Sequence, residues 1–293
     1  MAARLLLRSS PSPAGGRGED ICTYAAYWLQ AFNLRSRYFM WIAITREVSP
    51  RIAECELTHL AREPIDFQRA RTQHRQYEAL LEELGCKRVR LPAEPDLPDS
   101  VFVEDAAVVL DELAVITRSG AESRRSETVS VAEALRPYRK LFYIESPGTL
   151  DGGDVLRVGK ALYVGLSKRS NREGIKQLQD ILLPFGYVVN DVKLRDCLHL
   201  KSAVTQVAEN TLLINRTWVD TAMFSGFQLI DVASSEPFAA NALLIGNTVV
   251  YPVAFPETRQ RLEKQGIRVR TVDVSELAKA EGGVTCCSLI FRA

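Results

Sequence analysis

A cysteine pair close to the C-terminus of this 293-residue chain is the first place where side chains could do chemistry. Cys286 and Cys287 follow Gly282 and Gly283 and open a predicted strand at 287–291. Glycines at the mouth of a strand let the backbone turn tightly and expose a thiol there. Buried cysteines that only pack are common in cores, and a single cysteine is weak evidence for a nucleophile. By itself, therefore, the pair favours packing over catalysis.

Polar residues at the mouths of strands recur along the chain. Five such openers, each followed by a short β-rich run, are found at Asp105, Asp154, Lys201, Asn241 and Cys286. They are separated by 49, 47, 40 and 45 residues, and a nearly constant spacing in this range is typical of repeat proteins. Each unit has the pattern strand–strand–helix–strand. The last unit contains only its first strand, whereas the unit at the start of the chain lacks its own.

Apolar periodicity and turn signals predict the elements of these units. Helices are predicted at 64–84, 126–135, 172–183 and 256–265. Strands are predicted at 42–48, 86–91, 106–110, 113–117, 141–144, 155–158, 161–165, 187–189, 203–207, 211–214, 242–245, 248–251, 267–272 and 287–291.

The two ends of the repeat are predicted to pair. The strand at 42–48 lacks the partner that the last unit offers, so its pairing with 287–291 would close the five units into a ring. Closure also removes exposed sheet edges, which open sheets must otherwise protect. The sequence thus predicts an α/β fold in which five strand–strand–helix–strand units close around a centre, formed by a single domain at 40–293.

The first 39 residues do not share this pattern. Residues 1–18 are rich in Arg, Ser, Pro and Gly and contain no acidic residue, a composition typical of a disordered tail or a transit-type peptide. A third interpretation is that the native start is Met40, which precedes the first predicted strand. We predict that 1–39 is a disordered or non-native extension.

Composition argues against several classes of function. The net charge is +1, from 37 Lys and Arg against 36 Asp and Glu, so there is no basic field to attract nucleic acid. No window reaches the ~18 apolar residues of a membrane span. Six cysteines and three histidines show no zinc-finger spacing. We therefore predict no nucleic-acid or membrane partner, no metal site, and reduced thiols in a cytoplasmic protein.

The openers occupy equivalent places in their units, so they should face one axial pocket. A cysteine nucleophile needs a cationic neighbour or an adjacent base, and His199 is the only histidine at an opener. Its imidazole can act as acid and base near neutral pH, and either Asp151 or Asp154 can orient it. The residues gathered in the predicted pocket are Glu104, Asp105, Asp151, Asp154, His199 and Cys286.

Glu104 and Asp105 exceed what a cysteine hydrolase needs. Carboxylates beside a thiolate are unfavourable unless the ligand brings positive charge. Paired carboxylates match a planar guanidinium best, so we expect a small cationic substrate. Its charge would lower the pKa of Cys286 on binding.

Five motifs occur in order between residues 41 and 291. They are Phe102-Val103-Glu104-Asp105, Thr149-Leu150-Asp151-Gly152-Gly153-Asp154-Val155, Gly165-Leu166-Ser167-Lys168-Arg169, Leu198-His199-Leu200-Lys201-Ser202 and Thr285-Cys286-Cys287-Ser288. Together they closely resemble the dimethylarginine dimethylaminohydrolases, or dimethylargininases, of the guanidino-modifying superfamily. The resemblance implies the pentein fold, a five-bladed α/β propeller.

The resemblance also implies a role for each matching residue. Cys286 would be the nucleophile, His199 the acid and base, and Asp151 its partner. Asp105 would hold the guanidinium, with Glu104 in support. The remaining substrate contacts would be Leu57 in a lid, Asp99 near the α-ammonium group, Arg124 and Arg169 at the α-carboxylate, and Ala280 through its backbone. Ala280 and Glu281 depart from the family pattern, which has a bulkier residue followed by Asp.

The reaction implied by the resemblance is hydrolysis of Nω-methylated L-arginine, either dimethylated or monomethylated. The Cys286 thiolate attacks the guanidinium carbon, His199 protonates the departing amine, and a covalent thiouronium adduct is hydrolysed to L-citrulline. No metal or organic cofactor is needed. The protein would be a monomer or a homodimer.

Other functions remain open at this point. Arginine deiminases, amidinotransferases and other guanidino-modifying enzymes share the fold and the reactive residues, although the motifs at 102–105 and 166–169 favour the dimethylargininases. A non-catalytic methylarginine-binding protein would have no need of a nucleophile. A cysteine peptidase would need an extended cleft and has no use for the carboxylate cluster.

Overall fold

Five three-stranded sheets form the part of the chain that the computed structural model describes, residues 40–293. The predicted extension at 1–39 lies outside the described residues. The strands are β1 Trp41–Arg46, β2 Cys86–Leu91, β3 Ala107–Val109, β4 Leu113–Ile116, β5 Lys140–Tyr143, β6 Val155–Val158, β7 Ala161–Leu166, β8 Val188–Lys193, β9 Val204–Ala208, β10 Thr211–Ile214, β11 Gln228–Asp231, β12 Leu243–Ile245, β13 Thr248–Pro252, β14 Arg268–Val272 and β15 Leu289–Arg292. The helices are α1 Phe67–Glu83, α2 Thr128–Leu135, α3 Arg172–Leu182, α4 Leu200–Ala203, α5 Pro256–Lys264 and α6 Ser275–Ala278.

All five sheets have the same topology. The middle strand pairs with one antiparallel neighbour and one parallel neighbour, and the five sheets are β3-β4-β5, β6-β7-β8, β9-β10-β11, β12-β13-β14 and β15-β1-β2. A parallel third strand requires a crossover connection, which explains why most units place a helix before it.

The fifth sheet joins the two ends of the described chain. β15 lies antiparallel to β1, with Ile42 opposite Phe291, and the N–H of Ala293 donates to the carbonyl of Met40 (2.9 Å). Both Ile42 and Phe291 are buried. The predicted α/β propeller and the predicted pairing of the ends are confirmed.

Local capping sets the ends of the helices. α1 begins after Asp66, whose carboxylate accepts the N–H of Arg69, so the helix starts later than the predicted 64. It ends before Gly85, whose φ of 89° lies in the left-handed region that glycine tolerates. On the inner face of α1, the hydroxyl of Tyr77 donates to the carbonyl of Val284 (2.8 Å). This contact fixes the helix to the turn that carries the cysteine pair.

The unit opened by Lys201 departs from the predicted strand–strand–helix–strand pattern. Between β10 and β11 the chain forms only the 3₁₀ turn Thr221–Phe224. Trp218 and Phe224 are both buried, and residues six apart cannot share one face of a helix. β11, which was not predicted, follows this turn and pairs in parallel with β10.

The C-terminal strand begins later than predicted. β15 starts at Leu289, because the chain before it is turned: Cys286 N–H donates to the carbonyl of Gly283 (3.2 Å), and Glu104 N–H donates to the carbonyl of Cys286 (3.1 Å). Both cysteines therefore lie in a turn rather than in the strand. Among the described residues, no helix is both long and apolar enough to cross a membrane.

Candidate active site

The five openers meet and form a closed ring of hydrogen bonds at one end of the sheets. Each link joins one unit to the next, and the last link returns to the first unit. The links, each of 3.0–3.1 Å, are Glu104 N to Cys286 O, Gly153 N to Asp105 Oδ1, Leu200 N to Asp154 Oδ1, Asn241 Nδ2 to Lys201 O, and Thr285 N to Asn241 Oδ1. Residues far apart in sequence are thereby held at fixed positions around one axis.

Cys286 is half-buried on a turn whose backbone packs closely against Asn241. Its Sγ accepts the N–H of Gly283 (3.3 Å), and a Cβ on Gly283 would lie 2.3 Å from Oδ1 of Asn241. Burial raises the pKa of the Cys286 thiol to about 12, and the charges of Glu104 and Asp105 act in the same direction. Without a ligand, the thiol is therefore protonated at neutral pH. Cys287 is fully buried.

His199 is buried beside carboxylates. Its Nε2 lies 3.1 Å from Oδ2 of Asp151, and its Nδ1 lies 3.8 Å from Oδ1 of Asp105. Burial lowers the pKa of the imidazole, but Asp105, Asp154 and Asp151 outweigh that effect and raise it to about 9. The ring is thus an imidazolium at neutral pH and can donate a proton.

The structure distinguishes between the two aspartates that the sequence left open. Asp151, which is 0% exposed, contacts His199 directly. Asp154 instead accepts hydrogen bonds from the hydroxyls of Ser167 and Ser170, both at 2.6 Å. Asp154 therefore acts on the imidazole through its charge, and Asp151 through contact.

Glu104 and Asp105 have different surroundings. Asp105 Oδ2 accepts from Nη1 of Arg124 (2.8 Å), and although burial opposes ionisation, His199 and Arg124 hold the pKa of Asp105 well below its usual range. Glu104 accepts from Nζ of Lys201 (2.5 Å) and from Oγ1 of Thr285 (2.7 Å). Both carboxylates thus have both oxygens hydrogen-bonded by the protein, but Asp105 is the one that lies close to His199.

The two arginines predicted at the substrate carboxylate, Arg124 and Arg169, are both buried. They differ in how many of their N–H groups are hydrogen-bonded to the protein. Arg124 is ion-paired with Asp105 and with Glu127 (2.9 Å). The Nη1 of Arg169 lies 3.6 Å from Oδ2 of Asp151, within ion-pair distance, but it has no hydrogen-bond partner among the described residues. A buried donor without a partner is costly, so Arg169 has a donor available for a ligand. The predicted carboxylate contact of Arg124 stays a prediction.

The remaining predicted residues lie around a short loop. Asp99 Oδ2 accepts the N–H of Glu56 (3.0 Å), which immediately precedes Leu57. Leu57 is half-buried and packs against the apolar core that includes Ala280. Leu57, Asp99 and Ala280 therefore occupy one region, although their roles toward a substrate stay predictions.

Two contributors were not identified from the sequence. Glu127 pairs with Arg124 across one helical turn, and burial raises the pKa of its carboxyl to about 7. Thr285 connects Asn241 with Glu104. Thr285 could have been found, because it directly precedes Cys286. Glu127 carries no sequence signal that separates it from other surface-helix glutamates.

Two cavities approach this site. One, of about 260 Å³, has a mostly apolar lining that includes Cys286, Gly283, Trp218 and Phe238. The other, of about 250 Å³, is bordered by Glu104, Lys201 and Thr285. The Glu104–Lys201 ion pair thus forms part of the wall of the second cavity.

Asp105, Asp151 and His199 place donor atoms within 4.8 Å of one another. Such a group could attract a metal ion, but Arg124 and Arg169 already contact the two carboxylates. The imidazolium of His199 adds a third positive charge. A histidine binds a metal ion through a neutral imidazole, whereas His199 is protonated at neutral pH, so the group as it stands does not fit a metal ion.

Replacing Asp151 with Asn is expected to lower the pKa of His199 from about 9 toward its ordinary value of 6.5, because one of the carboxylates that raise it is lost. The imidazolium, which is present below pH 9 in the unaltered protein, would then lose its proton at lower pH. An NMR titration of the His199 ring in both proteins measures the shift. Asp180→Asn, at an exposed ion pair, is the matched control, and an unchanged midpoint in Asp151→Asn would contradict the expected coupling.

Comparison with known proteins gives a consistent result. The model of the family "N,N dimethylarginine dimethylhydrolase, eukaryotic" matches residues 58–291. The chain is 40% identical to a dimethylarginine dimethylaminohydrolase of Streptomyces coelicolor, over 85% of this chain and 96% of the relative. It is 38% identical to that of Pseudomonas aeruginosa, over 77% of this chain and 90% of the relative.

A solved structure shows the same likeness. It is a cysteine-to-serine variant of the Pseudomonas aeruginosa protein in complex with citrulline, with a TM-score of 0.82 and 35% sequence identity, covering 86% of this chain and 100% of that one. A family model that matches most of the chain and relatives of this identity agree with the geometry of the site. The chain belongs to the dimethylarginine dimethylaminohydrolase family.

Proposed function

We propose that this protein hydrolyses Nω,Nω-dimethyl-L-arginine to L-citrulline and dimethylamine, and Nω-monomethyl-L-arginine to L-citrulline and methylamine. Its family is named for the first reaction, and the Pseudomonas aeruginosa relative binds citrulline. One observation carries the proposal: a protonated cysteine thiol and an imidazolium lie beside buried carboxylates, of which Asp105 is ionised. Such a site gains most from a cationic substrate that is attacked by sulfur.

Binding of the guanidinium activates the nucleophile. Burial and the neighbouring carboxylates keep the Cys286 thiol protonated, and a substrate cation held by Asp105 would offset those negative charges. The pKa of the thiol then falls and its proton passes to solvent, so the thiolate forms where its target is already bound.

The first half of the reaction ends in a covalent adduct. The sulfur of Cys286 forms a bond to the guanidinium carbon and gives a tetrahedral intermediate. His199 donates its proton to the methylated nitrogen, the carbon–nitrogen bond breaks, and the neutral amine leaves. Asp151, in contact with the ring, stabilises the imidazolium before transfer.

The second half releases citrulline. The imidazole, now neutral, takes a proton from water, and the resulting hydroxide attacks the thiouronium carbon. Collapse of the second tetrahedral intermediate breaks the carbon–sulfur bond, passes the proton of the new hydroxyl group to the departing sulfur, restores the Cys286 thiol and leaves the urea group of citrulline. These steps require no metal or organic cofactor.

The amino-acid end of the substrate would lie among the other buried charges. We assign the α-carboxylate to Arg169, supported by its Nη1 without a hydrogen-bond partner among the described residues, and to Arg124. We assign the α-ammonium group to Asp99 and the backbone of Ala280, beneath Leu57. Each of these assignments rests on the family resemblance together with burial in one region.

We further propose that the protein acts in the cytoplasm as a monomer or homodimer on small molecules, without nucleic-acid or membrane partners. Every cysteine in the described part of the chain is a free thiol, which is typical of a reducing compartment. The balanced charge supports the same conclusion.

A comparison of substrates tests the proposed reaction. We expect kcat/KM for dimethylarginine to exceed that for unmethylated arginine by about tenfold or more, because two methyl groups buried in an apolar cavity contribute about 0.8 kcal/mol each. Citrulline and the released amine are measured separately for both substrates. A preference for arginine with release of ammonia would make the protein a deiminase, and tight binding without turnover would make it a methylarginine-binding protein.

A further inference from the structure

The carboxylate of Glu281 accepts hydrogen bonds from three consecutive backbone N–H groups. Its Oε2 accepts from Thr58 (3.0 Å), and its Oε1 accepts from His59 (2.5 Å) and from Leu60 (2.7 Å). Successive N–H groups that converge on an anion form a strong binding concavity, and hydrogen bonds to an ionised acceptor are about twice as strong as neutral ones. More than two hundred residues separate the partners along the chain, so this is a tertiary contact.

We propose that Glu281 is a positioning residue that holds the lid segment, defined here as residues 56–60, closed over the active site. The expected effect on KM rests on the proposed function, whereas the expected effect on the position of the lid segment does not. Leu57, the predicted lid residue, lies between two fixed points: Glu56 N–H on Asp99 (3.0 Å) and Thr58 N–H on Glu281 (3.0 Å). The backbone on both sides of Leu57 is thus held by a carboxylate.

Side chains of the lid segment also contact Arg169, a predicted site residue, and Ser123, which directly precedes Arg124. Thr58 Oγ1 accepts from Nη2 of Arg169 (3.4 Å), and Glu56 accepts from the hydroxyl of Ser123 (2.7 Å). Release of the lid segment would therefore change the surroundings of Arg169, to which we assign the substrate carboxylate.

Glu281 is mounted on backbone that is itself constrained. Its φ of 58° lies in the left-handed region, which is unfavourable for a non-glycine residue and is retained only where surrounding contacts enforce it. The next residue, Gly282, packs so closely that a Cβ would lie 2.2 Å from the ring of Phe102. The anchor is therefore rigid, and its left-handed backbone directs the carboxylate toward the lid segment.

The same contact shapes the cavity at the nucleophile. His59 and Leu60 line the cavity of about 260 Å³, together with Glu281 and Cys286. Holding these two residues in place fixes one wall of the space above Cys286. Loss of the anchor would open that wall to water, and the substrate would have to close it again on binding.

The test compares Glu281→Gln with a matched control. Glutamine keeps the size of the side chain but loses its charge, and Glu281 is only half-buried, so folding should be retained. The control is Glu236→Gln, which removes a carboxylate that also accepts two backbone N–H groups, from Glu257 and Thr258, at the start of α5. Amide hydrogen exchange in residues 56–60 and steady-state kinetics are measured for both variants.

In Glu281→Gln, we expect the amides of residues 58–60 to exchange about tenfold faster or more, because hydrogen bonds to a charged acceptor are lost. Exchange in β1 and β15 should not change. KM for dimethylarginine should rise about tenfold while kcat changes less than about threefold. This is expected because part of the binding free energy would be used to close a lid segment that is open in the free variant. In Glu236→Gln, exchange in 56–60 and KM should both match the unaltered protein.

Three results would overturn the inference: unchanged exchange in 58–60, faster exchange spread evenly over the whole chain, or faster local exchange with an unchanged KM. The exchange measurement needs no substrate. If the unaltered protein does not hydrolyse methylarginine, the proposed function fails, and exchange still decides whether Glu281 holds the lid segment.

Discussion

Cys286→Ala is expected to lower citrulline release from dimethylarginine by about 10⁴-fold or more, the size of effect seen when a covalent nucleophile is removed. The reason is geometric. Cys286 is the thiol that lies at the ring of openers with its Sγ on the N–H of Gly283, and the neighbouring hydroxyl of Thr285 is engaged with Glu104. The release of citrulline is measured under single-turnover conditions. The mass of acid-quenched protein is measured by intact-mass spectrometry to detect the thiouronium adduct.

Cys287→Ala is the matched control for this experiment. Cys287 is adjacent and chemically identical, but it is fully buried, with its Sγ toward the carbonyl of Gly283 (3.5 Å). Its replacement should lower the melting temperature somewhat and leave both adduct formation and kcat nearly unchanged. Retained turnover in Cys286→Ala, or an equal loss in both variants, would contradict the assignment of the nucleophile.

Deletion of residues 287–293 is expected to abolish cooperative folding rather than only activity. The deletion removes β15 and leaves β1 as an exposed edge in the closing sheet. Burial of Leu289 and Phe291 contributes about 1.5–3 kcal/mol each, and the fully buried Cys287 and the strand's hydrogen bonds add to this. Since a typical domain is stable by only about 5–15 kcal/mol, the loss approaches the whole free energy of unfolding.

Thermal unfolding followed by circular dichroism and near-ultraviolet spectra measures this effect. The control is deletion of residues 1–39, which we propose to be dispensable, so that the domain at 40–293 should melt cooperatively and keep its activity. A protein without 287–293 that still melts cooperatively with native-like spectra would contradict the role of the closing strand. Loss of folding on removal of 1–39 would show that these residues belong to the domain.

The fold could be predicted because its information is periodic. Equivalent openers at nearly regular intervals indicate equivalent units, and the missing strand at each end of the repeat leaves pairing as the way to complete the last sheet. The same regularity placed Glu104, Asp105, His199 and Cys286 at one end of the sheets, where the hydrogen bonds between openers are observed. The exception is the unit after Lys201, which has a 3₁₀ turn in place of the expected helix. Its buried residues Trp218 and Phe224 do not follow the spacing of a helix.

The parts of the site that could not be predicted depend on contacts distant in sequence. Asp151 and Asp154 belong to the same tight turn, and the sequence alone does not show which of them orients His199. Only the three-dimensional structure shows that the hydroxyls of Ser167 and Ser170 donate hydrogen bonds to Asp154. Likewise, the residues that flank Glu281 in the sequence do not reveal its partner. Its left-handed φ and its contact with residues 58–60 arise from tertiary packing, which no local pattern encodes.

The ring of hydrogen bonds between openers has a consequence for how such a protein can evolve. Every opener is linked to the next, so an insertion at one opener would displace residues in all five units. At the far end of each first strand, hairpin turns such as the one at Gly159 (φ 61°) have open space around them. Insertions, fusions and new surface contacts should therefore accumulate at the turn end of the sheets. The opener end should keep the same arrangement of reactive residues.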